Sequence, residues 1–331
     1  MQTVIDLSRI RNNVRQIRSK LSGAFCAVVK ADAYGHGISV ASYIEPVVDC
    51  FFVATPDEAF TLAAVVRKPV LVLGGDVSPF TRRFEPNIIP TVCDDRQALA
   101  MLKSGYNAFS VAVNTGMNRL GANERKLEAI EKFCVRYGVV PWSVYSHIYN
   151  GIASAREQSD EFDRLTASPV FRRMRHLYCS CALELGNVCV YDMTRIGLAM
   201  YGYAGGLDIA MRARAKITAL SYVARGRHVG YGDYITERDT LVATVACGYA
   251  DGLRRCDKPL YLKVGDRKCR IIGMPCMDVC MIDVTGVPCR VGEYAYLISD
   301  KSDTEYLAKC YGTIVYEVLT NFNGRAKRIY T

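Results

Sequence analysis

No stretch of the 331 residues is apolar for long enough to cross a bilayer. The first ten, Met-Gln-Thr-Val-Ile-Asp-Leu-Ser-Arg-Ile, lack the basic flank and apolar stretch of a secretory signal. A cytoplasmic protein with no membrane partner is expected. Among 14 cysteines, none are paired at Cys-x-x-Cys spacing. The nearest sets, Cys179/Cys181 and Cys276/Cys280, have no histidines at ligand spacing, which argues against a metal site and, in a reducing compartment, against disulfides. Cys26, Cys93, Cys134, Cys247 and Cys269 sit inside apolar runs and read as buried thiols. There is no repeat of fixed period, no low-complexity tract and no obvious flexible linker. The net charge of +9 is spread along the chain, with only small clusters at Arg172-Arg173-Met174-Arg175 and Arg325-Ala326-Lys327-Arg328. That distribution fits solvated faces and attraction for small anions better than a nucleic-acid partner.

What is present is a large core. Half the residues are hydrophobic, and the length accommodates a barrel plus a smaller domain. Apolar runs at 24–29, 50–54, 70–73, 87–92, 109–113, 142–146, 176–180 and around 194–201 alternate with amphipathic segments, which predicts parallel strands crossed over by helices. In 123–137, Leu127, Ile130 and Cys134 recur at helical spacing. Thr55-Pro56-Asp57-Glu58 reads as an N-cap, a first-turn proline and the return partner of a capping box. Eight such units match the small end of the (β/α)8 range, so a TIM-type barrel is expected over residues 1–212. Beyond it, runs at Thr240–Cys247, Leu260–Val264, Lys268–Ile272 and Val279–Val284 are broken by Gly-Asp, Asp-Gly and Thr-Gly turns. Residues 213–331 therefore read as a mainly β domain packed closely on the barrel.

The chemistry concentrates at strand ends. Phe25-Cys26-Ala27-Val28-Val29-Lys30 delivers one lysine to the polar end of an apolar run, and Tyr34 follows in a glycine-flanked loop. Burial would lower the amine's pKa toward the range of a Schiff-base nucleophile, although a lysine snorkelling from a strand end is an equal alternative. Asn114, His147, Ser180 and Arg195 sit at or just past other strand ends, where barrel enzymes build their sites. Taken singly, His147 is more often a satisfied structural histidine, Ser180 more often a cap, and Arg195 more often half of an ion pair. Together they offer an amine for an aldehyde, hydroxyls for a phosphate and a cation for a ring. Gly197, in Ile196-Gly197-Leu198, adds backbone N–H groups.

At this point the motif Ala-Val-Val-Lys-Ala-Asp-Ala-Tyr-Gly-His-Gly resembles the pyridoxal 5'-phosphate (PLP) motif of the alanine racemase family. Further blocks match in the same order: Asn114 to Gly121, Arg195 to Gly202, Gly230-Tyr231-Gly232, Gly248 to Gly252, Cys276-Met277-Asp278 and Tyr316-Glu317-Val318. They span nearly the whole chain. The resemblance implies that Lys30 holds PLP covalently and serves as the base on one face of the substrate's α-carbon. Tyr231 would serve the other face, supplied by the partner subunit of a head-to-tail homodimer. It implies that Tyr34, Ser180 and Tyr316 bind the phosphate with the backbone at Gly197 and Leu198. Arg195 would face the pyridine nitrogen, oriented by His147. Arg119 and the backbone of Met277 would orient the cofactor oxygen and the substrate carboxylate, and Tyr249 would line the entrance.

Several positions depart from the family pattern. Ala112 stands where members often carry a lysine, Asn114 where aspartate is usual, Asn118 where glycine is common, and Cys179 where asparagine is usual. Three readings follow from the resemblance: a racemase making D-alanine for the cell wall, a racemase for serine or another small amino acid, and a PLP-binding protein without turnover. Tyr316 favours an alanine-sized pocket. Retention of Tyr231 favours an enzyme.

Overall fold

The computed structural model describes residues 1–183, 191–322 and 324–331, without the side chains of Ile152, Cys181 and Ala182. The Cys179/Cys181 spacing and Cys189 therefore lie partly or wholly outside the described residues. Among the described residues, no helix is long and apolar enough to cross a membrane.

Among the described residues eight parallel strands, the fourth in two pieces, form the first barrel, and each overlaps one of the eight apolar runs, the seventh only at His176. Ala24–Val28, Cys50–Val53 and Val70–Val72 are almost wholly buried, as expected for strands covered on both faces. The fourth run is split by Pro90, which has no N–H to give to a ladder. Ile88–Ile89 pairs backward with Val70–Leu71, while Thr91–Val92 pairs forward with Ser110–Val111. Ser110–Ala112, Ser143–Tyr145 and Arg175–His176 continue the wall. The eighth strand, Met193–Ile196, pairs with Ala24–Ala27, and the Arg195 N–H donates to the Tyr178 carbonyl at 3.1 Å, which closes the circle. The run read around 194–201 is a strand only to Ile196; Leu198–Tyr201 is a turn of 3-10 helix.

The outer helices start where their caps are. Thr55 accepts from the Glu58 N–H, and the Glu58 side chain returns to the cap, as the four-residue signature requires. Glu124–Tyr137 is capped by Asn123, buries Leu127, Ile130, Phe133 and Cys134, and ends on Gly138 in the left-handed region.

The C-terminal part is a closed six-stranded β-barrel. Its long strand Met211–Val223 pairs with Tyr294–Ile298 through its first half and with Thr240–Val245 through its second. Cys280–Asp283, Arg267–Ile272 and Tyr261–Val264 complete the ring. The chain's first strand, Gln2–Ile5, lies in this second sheet rather than in the first barrel. It runs antiparallel to Met211–Arg214 and parallel to Lys327–Tyr330. Helix Lys301–Tyr311 then packs on strand Tyr294–Ile298 and on helix Val315–Thr320, and the latter lies beside the loop that follows Lys30.

The two parts meet at that loop. Arg328 pairs with Asp32 at 2.6 Å and donates through Nε to the Gly35 carbonyl at 3.0 Å. Gly35 has φ 79°, and a Cβ there would stand 2.3 Å from the Leu319 carbonyl oxygen. Gly35→Ala is expected to cost about 2 kcal/mol or more in a denaturant melt, because both the backbone angle and the neighbouring main chain resist a methyl.

Candidate active site

Lys30 follows the first barrel strand, and the backbone turns left-handed immediately after it. Ala31, Asp32, Ala33 and Tyr34 all have φ between 51° and 54°. L-residues pay roughly 1–2 kcal/mol each for that conformation, so the turn exists only because its surroundings impose it. Glu58 is one such constraint. One carboxylate oxygen accepts from the Ala54 and Thr55 N–H groups and the other from the Ala31 N–H at 2.7 Å, so the helix cap also grips the turn.

The turn and the strand ends enclose one cavity of about 710 Å³. Lys30, Tyr34, Arg119, His147, Ser180, Arg195, Gly197, Leu198 and Tyr316 all line it. Sequence reasoning named all nine. Burial lowers the Lys30 amine below its ordinary pKa, assisted by the Arg119 and Arg195 cations and opposed by Glu58. Tyr34 is buried, with its ring 5.7 Å from Tyr316. Burial, with smaller contributions from Tyr316 and Cys179, raises its phenol well above the ordinary value, so it remains a hydrogen-bond donor. The Gly197 N–H donates to Ser180 Oγ at 3.3 Å, and a Cβ on Gly197 would stand 2.6 Å from Tyr34 Oη. Only a glycine lets these groups converge.

Arg195, 3 % exposed, is held by backbone and imidazole acceptors. Nη1 donates to the His176 carbonyl at 3.1 Å, and Nη2 donates to the Ser146 and Leu177 carbonyls at 2.7 and 3.1 Å. Nη1 also lies 2.5 Å from His176 Nδ1, whereas His147 Nδ1 is 3.4 Å from Nη2. The closer imidazole is thus His176, which sequence reading passed over because it opens an apolar run and looks like core. Its Nδ1 accepts, so Nε2 carries the hydrogen and donates to Ser143 Oγ at 3.1 Å, which in turn bonds Ser110 Oγ at 2.7 Å. His176 also stacks on Tyr145, with ring centroids 5.0 Å apart.

Tyr231, Tyr249 and Met277 do not line this cavity. They lie on the surface of the β-barrel part, 63 %, 42 % and 52 % exposed. They are nevertheless neighbours. The Arg255 guanidinium stands 5.8 Å from the Tyr231 ring centroid and 5.3 Å from that of Tyr249, and the Ala250 N–H donates to the Met277 carbonyl. The loop before Arg119 is bonded to itself through the two asparagines. Asn114 Oδ1 accepts from the Gly116 and Asn118 N–H groups, and Asn114 Nδ2 donates to Asn118 Oδ1 at 2.8 Å. Asn118, at φ 55°, takes the left-handed position that a glycine would fill most easily.

The (β/α)8 barrel joined to a second β-barrel is a fold shared with several solved alanine racemases. Alanine racemase from Clostridium difficile superposes with a TM-score of 0.92 at 26 % identity, covering all of this chain and 95 % of that one. The alanine racemase from Bartonella henselae, solved with covalently bound pyridoxal phosphate, gives 0.89 at 26 % identity over all of this chain and 99 % of that one. In sequence, the alanine racemase of Thermodesulfovibrio yellowstonii is 31 % identical across the whole chain and 97 % of its own length. Residues 5–205 match the family described as "Alanine racemase, N-terminal domain", and residues 210–330 match "Alanine racemase, C-terminal domain". The chain belongs to the alanine racemase family.

The buried imidazoles set an acid limit on the fold. Burial lowers His147 to about 3 and His36 to about 4, and it holds His176 well below the ordinary 6.5. On unfolding, each ring takes up a proton below that ordinary value, so the unfolded chain binds more protons. Stability should therefore fall as the pH drops from about 6.5 toward 4, by up to about 1.4 kcal/mol per pH unit for each ring. A melting temperature that stays level across this range would contradict the assignment.

Proposed function

We propose that the protein is a PLP-dependent racemase that interconverts L- and D-alanine. The carrying observation is the single cavity that gathers one low-pKa lysine, two arginines and three hydroxyls around a glycine with no room for a side chain. That set fits PLP. An amine meets the aldehyde, the hydroxyls of Tyr34, Ser180 and Tyr316 with the backbone at Gly197 and Leu198 meet the phosphate, and Arg195 meets the ring nitrogen.

When bound, PLP supplies the electron sink that makes an α-proton removable. The chain's residues do the rest. The lowered pKa of Lys30 would let its amine condense with the aldehyde, and once a substrate amine had displaced it there, the freed Nζ would take or return a proton on one face of the α-carbon. Arg195 donates hydrogen bonds but has no proton to give up, so a ring nitrogen facing it stays unprotonated and the sink is moderated. His176, fixed by Ser143, orients that guanidinium, with His147 as a second, longer contact. Arg119 orients the substrate carboxylate, together with the Met277 backbone.

Inversion needs a second proton carrier on the opposite face, and Tyr231 is our assignment. It lies outside its own chain's cavity, so a second copy must bring it in, along with Met277 and Tyr249. A head-to-tail homodimer with two shared sites follows. Tyr316 narrows the mouth toward an alanine-sized side chain.

Incubation with PLP and single L-amino acids in D2O should yield D-alanine carrying α-deuterium, and faster inversion of L-serine would overturn the substrate. Lys30→Ala should abolish covalent PLP. Tyr231→Phe should keep PLP but lose about 10²–10⁴ in turnover. Mixing these two inactive variants should restore activity at about one site in four, since hetero-dimers regain one complete site; absence of rescue would refute the shared-site dimer.

A further inference from the structure

His36 has no role in the reading above, yet it is fully buried. Its Nδ1 lies 3.1 Å from the Ala33 carbonyl oxygen and 3.1 Å from that of Tyr34. Two carbonyls can only accept, so Nδ1 carries the hydrogen and is shared between them. Burial keeps the ring neutral, with a pKa of about 4. The ring stacks on Tyr201 at 4.3 Å between centroids and 24° between planes. Tyr201 is itself fixed by donating from its hydroxyl to the Val28 carbonyl at 3.3 Å, two residues before Lys30.

Ala33 and Tyr34 are the last two non-glycine residues of the left-handed turn. The imidazole grips it from inside the fold, while the Asp32–Arg328 pair and Glu58 hold it from the other side. A run of four non-glycine residues in this conformation reverts unless its carbonyls are tied down. We infer that His36 is a positioning residue: its Nδ1–H holds residues 31–34 left-handed and so aims Lys30 and the Tyr34 hydroxyl into the cavity. The inference rests on the reading of Lys30 as the cofactor lysine.

His36→Asn and His36→Gln separate this role from simple packing, because the Asn amide nitrogen can stand at the place of Nδ1 and the Gln amide nitrogen at that of Nε2. The measurements are the PLP dissociation constant of each full-length apo-protein, by absorbance titration, and its melting temperature without PLP. H36N should bind PLP within about threefold of the parent and H36Q at least about tenfold more weakly, the loss of one buried hydrogen bond. Adding Ala31→Gly, at an exposed side chain, should recover most of the H36Q loss, since glycine adopts the left-handed region freely.

Parent-like affinity in H36Q, equal losses in both variants, or a H36Q loss that Ala31→Gly leaves untouched would overturn the role. Should H36Q not fold, H36N decides: weakened PLP binding in folded H36N overturns the role, and retained binding upholds it. A parent protein that takes up no PLP at Lys30 defeats the functional reading, and this inference with it. A parent that binds PLP while the variants depart from the expected pattern defeats the positioning role alone.

Discussion

The site is organised by a guanidinium that the fold has taken almost wholly out of water. Burying such a charge costs several kcal/mol unless its donors are received, and here acceptors belonging to Ser146, His176 and Leu177 receive them at the C-terminal ends of the sixth and seventh strands. Arg195 itself rides on the eighth strand. Its bonds therefore join three staves of the barrel at the rim where the cavity opens. They also fix the tautomer of His176 and so the direction of the serine pair behind it. The preorganised cavity follows from this one buried cation and its acceptors.

The barrel was legible because parallel strands buried on both faces leave unbroken apolar runs, and all eight could be read. The helix start at Thr55 was legible for a local reason, a side chain that caps its own turn, and the helix over 124–137 through its apolar spacing, with the Asn123 cap added by the structure. What escaped depended on distant partners. The split at Pro90 needs two different neighbours to be seen. The strands at Gln2–Ile5 and Lys327–Tyr330 exist only because Met211–Arg214 and Gln2–Ile5 lie beside them. The helix Lys301–Tyr311 carried a readable signal in Asp300 and Asp303, which cap it, but it was subsumed in the expectation of β structure.

The cavity residues were legible as a set through their resemblance to a family, and not singly. Composition could not separate Lys30 from a snorkelling lysine. The left-handed turn after it is invisible to local propensity, since Ala-Asp-Ala-Tyr favours no such conformation. His176 and His36 were hidden by the apolar or glycine-rich company they keep. Eight of the twelve free cysteines described are buried, which accounts for their place inside apolar runs.

The contact between the loop after Lys30 and the last strand bears on the order of assembly. Residues 327–330 pair with residues 2–5 across 325 positions of chain, and Arg328 then reaches Asp32 and Gly35. Contacts so remote in sequence are the slowest to close. The nascent barrel can condense around its apolar staves well before that strand exists, with the turn after Lys30 already gripped by Glu58 and His36, and the Arg328 contacts complete it only after the final stretch has docked. The loop after Lys30 is thus the place where the earliest and the latest parts of the chain are joined.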